Sequence, residues 1–198
     1  MHDALLALVA ARRGHFQMES GYHSEQWFEL DRLFRDPEKL RPFVAALARR
    51  LAPHRPEIIC GPQTGGAQLA DLLAAELKIP AVHSERFEPP NPTGLFPVKY
   101  NVPAAQRALV RGKRLALVDD AISAGSAIRA THADLLDCGA HPIALGALFV
   151  FGDKAAAYAH EHHLSLECLA PMAFNIWPPD ACPLCSGNIP VARVSDAV

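Results

Sequence analysis

The sequence predicts an α/β fold, a central parallel sheet flanked by helices. Two observations carry the prediction. Short apolar runs of strand length alternate with amphipathic segments of helix length, which demands right-handed crossovers and a sheet covered on both faces. Two of those runs end directly in loops of glycine and other small residues, where ligands bind in such sheets. The chain is long enough for the core this requires, with 198 residues, half of them hydrophobic.

The elements follow in order. Between Asp36 and Leu51, the residues Leu40, Phe43, Val44, Leu47 and Leu51 recur at helical spacing, behind an Asp36 N-cap and a Pro37 in the first turn. Glu57 to Gly61 is a short apolar run ending in glycine. The helix from Gly65 to Lys78 carries Ala70, Leu73, Ala74 and Leu77 on one face. Ile79 to His83 is a second strand. The proline-rich stretch from Pro89 to Pro103 cannot form a regular helix or central strand, because its prolines lack donors and restrict the residues before them. It is expected to be a surface loop, mobile when empty. Leu115 to Val118 is a third strand, and the helix behind it carries Ile128, Leu135 and Cys138 before stopping at Gly139. Ile143 to Val150 and Leu164 to Leu169 are two more strands, with an alanine-rich helix from Asp153 to His163 between them.

Composition narrows the function classes. Nineteen Lys and Arg against 21 Asp and Glu leave a charge of −2, so no global cationic field gathers nucleic acid or anionic membrane. No run approaches a membrane span, and no signal peptide opens the chain, so a cytoplasmic protein is expected. Five scattered cysteines argue against a disulfide framework. Cys182-Pro-Leu-Cys185 invites a zinc reading, but structural zinc needs four ligands, and Cys168 and the histidines 160, 162 and 163 are the only conceivable partners. A reduced, solvent-facing tail motif is the expectation there. Trp27 and Trp177 are expected as core anchors.

Chemistry concentrates in Leu115-Ala-Leu-Val-Asp-Asp-Ala-Ile-Ser-Ala-Gly-Ser-Ala127. Two adjacent carboxylates leave the end of a buried strand, followed by small residues opening a helix. In the loop Ser123, Ala124, Gly125, Ser126 and Ala127, backbone N–H groups, hydroxyls and the helix N-terminus suit a phosphate. Asp119 and Asp120 would repel it. They suit ribose hydroxyls, or Mg²⁺ held through water. The second loop, Gly61-Pro62-Gln63-Thr64-Gly65-Gly66, has glycines that turn N–H groups towards pyrophosphate oxygens, with Thr64 adding a hydroxyl.

The first of these segments resembles the phosphoribosyl-pyrophosphate (PRPP) motif of type I phosphoribosyltransferases, with Ala116 and Ala121 where bulkier aliphatics are usual. Gly14-His-Phe-Gln-Met-Glu-Ser-Gly-Tyr-His-Ser24 resembles the N-terminal stretch of orotate phosphoribosyltransferases, Gly61 to Gly66 their pyrophosphate loop, and Trp177 to Cys185 a tail of some long members. The resemblance implies one phosphoribosyltransferase domain over 1–198: an N-terminal hood and helix over 1–55, a PRPP-binding core over 56–170, and a tail over 171–198 that is a candidate part of the hood. It implies Mg²⁺-dependent transfer of ribose 5-phosphate from PRPP to orotate, release of pyrophosphate, and a homodimer. Asp119, Asp120, Arg86 and Lys99 become the catalytic candidates, and Ser20, Gly21, Tyr22 and Arg129 the base-binding ones. The chain also departs from the family. In its relatives a mobile loop carries Arg-Lys and a further Lys. Here Arg86 stays, Phe87 replaces a Lys, and Lys99 is a distant substitute. Tyr22 stands where a basic residue is common, and only Asp153-Lys154 lies near the usual base-binding Arg. A non-catalytic PRPP or nucleotide sensor, or an enzyme for another base, is the alternative reading.

Overall fold

The computed structural model describes residues 1–90 and 94–193. In chain order the elements are α1 (His2–Leu6), β1 (Ala10–Gln17), β2 (His23–Glu29), α2 (Pro37–Leu51), β3 (Ile58–Pro62), α3 (Gly65–Leu77), β4 (Ala81–Phe87) and β5 (Lys99–Asn101). There follow α4 (Ala104–Val110), β6 (Arg114–Ile122), α5 (Ser126–Asp137), β7 (His141–Phe151), α6 (Lys154–Glu161), β8 (Ser165–Met172), β9 (Ile176–Trp177), α7 (Pro183–Ser186) and β10 (Ala192–Arg193). The main sheet has the order β5-β4-β3-β6-β7-β8. Its five long strands are parallel. A second sheet, β10-β1-β2-β9, joins the N-terminal hairpin to two short strands of the tail and forms the hood.

Alternation along the buried strands divides the core between two faces. On β6, Ala116 and Val118 pack with Leu40, Leu47 and Leu51 of α2 and Leu69 and Leu73 of α3. Leu115 and Leu117 of the same strand face Ile128 and Leu135 of α5 and Tyr158 of α6. These leucines are fully buried, each worth about 1.5–3 kcal/mol in removal from water. The start of α2 obeys its cap: the Asp36 carboxylate accepts from the Lys39 N–H at 3.3 Å, and Pro37 opens the helix. At the other end of α5, Gly139 turns the chain at φ +75°.

Three expectations need correction. The sheet is mixed, because β5 pairs antiparallel with β4, Arg86 opposite Tyr100 and Phe87 opposite Lys99. Residues 89–103 are therefore not loop throughout. A three-residue edge strand survives beside prolines because an edge needs only one row of hydrogen bonds; residues 91–93 of that stretch lie outside the described ones. The tail cysteines do not face solvent beside Cys168 or the exposed histidines 160, 162 and 163: Cys182 is 1% exposed and packs against the hood. Trp27 and Trp177 are half-buried at the hood surface, and the aromatic anchor is Phe28, stacked on Phe151 at 4.8 Å.

Candidate functional site

The site forms where β3 and β6 end side by side, in register from Ile58–Leu115 to Cys60–Leu117. Behind β3 the chain turns at Gln63–Thr64, a cis peptide, into α3. The glycines there are dictated by space. A Cβ on Gly61 would lie 2.0 Å from the Gly66 carbonyl oxygen, one on Gly65 2.3 Å from Asp120 Oδ2, and one on Gly66 2.7 Å from Asp119 Oδ1. The two carboxylates thus lie directly over the N-terminal turn of α3. Asp119 Oδ1 accepts from the Asp120 N–H at 3.1 Å, and Asp120 Oδ1 from the Ala121 N–H at 2.8 Å.

These carboxylates carry unusual charge. Burial pushes the Asp119 carboxyl well above its ordinary value, and the charges of Asp120 and Glu19 push the same way. Burial also raises Asp120, to about 6. Two acids packed together at a strand end make a place where a bound cation relieves repulsion. Beyond them Gly125 adopts φ +79° as the N-cap of α5. The Ser123 hydroxyl is fully buried and has no hydrogen-bond partner. A buried polar atom without a partner costs about 1–3 kcal/mol, so a bound group that pairs with it would be favoured there.

The opposite wall comes from the hood and the β4–β5 hairpin. Glu19, in the turn between β1 and β2, accepts from Arg86 Nε at 3.1 Å, from the Tyr100 hydroxyl at 3.0 Å and from Ser126 Oγ at 3.0 Å. Arg86 also donates to Glu88 at 2.7 Å. Lys99 is exposed on β5 and is not drawn into this network. In the turn, Ser20 is buried, Gly21 takes φ +82°, and the Ser20 carbonyl accepts from the Phe96 N–H at 2.8 Å. Tyr22 lies 6.0 Å from Phe96, and the Lys154 ammonium lies 4.9 Å over the Tyr22 ring. The Arg129 guanidinium stacks over Tyr158 at 4.3 Å and Phe96 at 5.4 Å, while its Nε donates to the Ala124 carbonyl. A cavity of about 460 Å³ adjoins this corner, lined by Phe151, Lys154, Phe174, Asn175 and Trp177 among others. It opens beside the 123–127 loop, since Val150 pairs with Ile122.

The structure therefore brings together Asp119, Asp120, Gly65 and Gly66, places Ser123–Ala127 next to them, and gathers Arg86, Ser20, Gly21, Tyr22 and Arg129 around the opening. Pro62 is buried at the end of β3, whereas Gln63 and Thr64 are exposed. Sequence reasoning missed Glu19, Tyr100 and Phe96. Glu19 had one signal, its place inside the N-terminal motif; Tyr100 and Phe96 had none, because only the hairpin brings them to the site.

Residues 39–182 match the family described as "Phosphoribosyl transferase domain". Among curated proteins, the chain is similar to "Orotate phosphoribosyltransferase" of Caldanaerobacter subterraneus subsp. tengcongensis, 23% identical over 188 residues, 94% of this chain and 90% of the relative. The protein of that name from Thermotoga maritima is 26% identical over 93% of this chain and 91% of its own length. Among solved structures, the orotate phosphoribosyltransferase from Aeropyrum pernix has a TM-score of 0.63 at 21% identity, covering 82% of this chain and 88% of its own. The adenine phosphoribosyltransferase from Rhodothermus marinus reaches 0.65 at 17% identity, covering 86% and 99%. The fold is thus shared by enzymes for different bases.

Proposed function

We propose, from the premise that this chain belongs to the phosphoribosyltransferase family, that it transfers ribose 5-phosphate from PRPP to orotate and releases pyrophosphate. The observation that carries the reading is the pocket itself: an acidic pair set over the Gly65–Gly66 turn, one loop away from a buried, unpartnered Ser123 hydroxyl. An anion loop, a carboxylate pair and a second anion loop in that order match the two ends and the ribose of PRPP. For the base, support comes from the two curated relatives described above, both named for orotate, and from the corner where Lys154 and Arg129 stand among Tyr22, Phe96 and Tyr158. A planar anionic ring suits cations set against aromatic faces. A non-catalytic sensor is not what those relatives favour.

Each group then has a task. The loop 123–127 and the N-terminus of α5 hold the 5-phosphate, with the Ser123 and Ser126 hydroxyls as donors. Asp119 and Asp120 accept from the ribose hydroxyls, fixing the ribose ring so that its reacting carbon faces the base. The same two carboxylates would hold Mg²⁺ through water, and their raised pKa values fit such a partner. When bound, that ion neutralises charge on the departing pyrophosphate. Residues 64–66 present N–H groups to the pyrophosphate, and Arg86, released from Glu19, meets charge that grows as the bond to the ribosyl carbon breaks. Lys99 is the reserve cation of the same hairpin, placed to serve either its own pocket or that of a second copy in a homodimer. No helix among the described residues is long and apolar enough to cross a membrane.

The test is pyrophosphate release from the purified protein with PRPP, Mg²⁺ and a panel of bases. Turnover with orotate, and none with adenine, is expected. PRPP binding without turnover on any base would hand the pocket to a sensor.

A further inference from the structure

The hood holds a second cluster of chemistry, where the C-terminal tail meets the N-terminal hairpin. His15, His23, Cys182 and Cys185 each offer one ligand atom, and the four atoms lie within 4.8 Å of one another. Three of the four residues are buried and the fourth is half-buried. His23 pairs across the hairpin with Gln17, and the His15 and His23 rings meet edge to face, so both imidazoles stand on one face of the hood sheet. A register shift between Arg13 and Phe16 sets this spacing. The Cys182-Pro-Leu-Cys185 turn, at the start of α7, covers that face.

We infer that His15, His23, Cys182 and Cys185 form a closed, tetrahedral zinc site that fastens the C-terminal tail to the N-terminal hairpin. Three of the four distances match it, and the two imidazole nitrogens, at 2.9 Å, would part slightly to take the ion. His15 Nε2 lies 2.9 Å from His23 Nδ1, 3.5 Å from Cys182 Sγ and 3.8 Å from Cys185 Sγ, and Cys185 Sγ lies 3.3 Å from His23 Nδ1. Around zinc, with Zn–S about 2.3 Å and Zn–N about 2.0–2.1 Å, tetrahedral neighbours stand about 3.3–3.8 Å apart. Hydrogen bonding alone accounts for the cluster less well. His15 Nδ1 lies 2.7 Å from the Ile189 carbonyl and must donate to it, which leaves Nε2 of the neutral ring as a bare lone pair. Three groups crowd that lone pair, and only one of them can donate to it. A cation engages all four at once. The Nδ1–H to carbonyl bond is also the outer contact that orients a metal-bound imidazole.

The chemistry selects the metal. Two thiolates and two imidazoles in a closed set favour zinc over hard cations, and four protein ligands leave no position for substrate, which makes the role structural. Binding releases the two thiol protons to solvent, and the centre Zn(Cys)₂(His)₂ is then neutral, as its burial requires. The two-residue strands β9 and β10 flank the hairpin on either side, so one ion locks strands too short to hold themselves. The hairpin's turn carries Glu19, Ser20 and Tyr22, so the zinc also steadies one wall of the PRPP pocket. That last consequence rests on the proposed function, whereas the metal site does not.

The test is metal content of the full chain purified from zinc-supplemented medium, followed by cobalt substitution. About one zinc per chain is expected, falling to under a tenth in a Cys182→Ser/Cys185→Ser variant. Cobalt in the parent should give intense tetrahedral absorption with sulfur-to-cobalt charge transfer. Cys185→His is the second variant, retaining a ligand at that position. It should still bind one equivalent of cobalt while losing about half of the charge-transfer intensity, even if the double variant fails to fold. The site would be overturned by zinc content equal in parent and double variant, or by a parent that binds no cobalt, or binds it only with weak octahedral absorption. Loss of turnover with the metal still bound would count against the proposed function and leave the zinc site standing.

Discussion

Two loops leave the carboxyl ends of the two central strands of the main sheet, and each needs glycine for a different reason. In the loop after β3 the constraint is space: the positions a Cβ would take at Gly61, Gly65 and Gly66 are filled by backbone or carboxylate within 2.0–2.7 Å. In the loop after β6 the constraint is angle. A Cβ at Gly125 would meet nothing closer than 3.6 Å, but its φ of +79° lies where L side chains are strained. The first loop is shaped by what packs on it, the carboxylates included, and the second by the turn that aims its donors. A substitution in the first should therefore act through Asp119 and Asp120, and one in the second through local backbone energy.

The largest effect is expected at Gly65→Ala. The atoms nearest its Cβ are those of the Asp120 carboxylate, the far end of a side chain that can swing away, so the fold survives while the carboxylate is misplaced. Turnover should fall by about a hundredfold or more, on the scale of a lost hydrogen bond to a charged group, with the thermal midpoint nearly unchanged. Equal activity in parent and variant would break the link between the first loop and the acidic pair.

Next in size is Asp120→Asn. It keeps shape and removes charge, and a loss of about 1.5–3 kcal/mol implies PRPP affinity or turnover lower by about 10- to 150-fold. Stability should move the other way. The Asp120 carboxyl is raised to about 6 in the fold, from 3.8. Above pH 6 the metal-free protein therefore keeps an ionised group where the neutral form is preferred, and this penalty fades as pH falls from about 6 to about 4. In EDTA, Asp120→Asn should melt above the parent at pH 7.5 and lose that advantage by pH 4. A difference independent of pH would show that Asp120 does not titrate there.

Gly125→Ala follows, with room for the methyl group but a left-handed backbone that costs about 1–2 kcal/mol. PRPP affinity should fall by about 5- to 30-fold, measured by calorimetry. A larger loss would mean that the second loop is also limited by space. The smallest effect is expected at Glu19→Gln, which weakens the carboxylate's hold on Arg86, Tyr100 and Ser126 and frees donors for an incoming anion. PRPP should bind a few-fold tighter. Weaker binding would make Glu19 part of the recognition surface instead of a competitor for it.

The amino-acid sequence alone determined whatever depends on neighbours along the chain. Helical spacing from Leu40 to Leu51, the Asp36 cap, the apolar runs of β3, β6, β7 and β8, and the small residues at 61–66 and 123–127 are local signals, because periodicity and turn chemistry are properties of consecutive residues. The acidic pair was legible for the same reason: strand, carboxylates and a loop of small residues follow one another without a gap. Tertiary structure decided the rest. The edge strand β5 and the hood strands β9 and β10 span only two or three residues, too few to show a period, and exist because a partner edge lies beside them. Glu19 meets Arg86, Tyr100 and Ser126 across 67, 81 and 107 residues, and Cys182 meets His15 across 167. No local pattern encodes such encounters. The first arise when the two sheets are brought together and the second when the tail folds back onto the hairpin of its own sheet, which is why a Cys-x-x-Cys pair without partners along the chain finds two histidines in the fold.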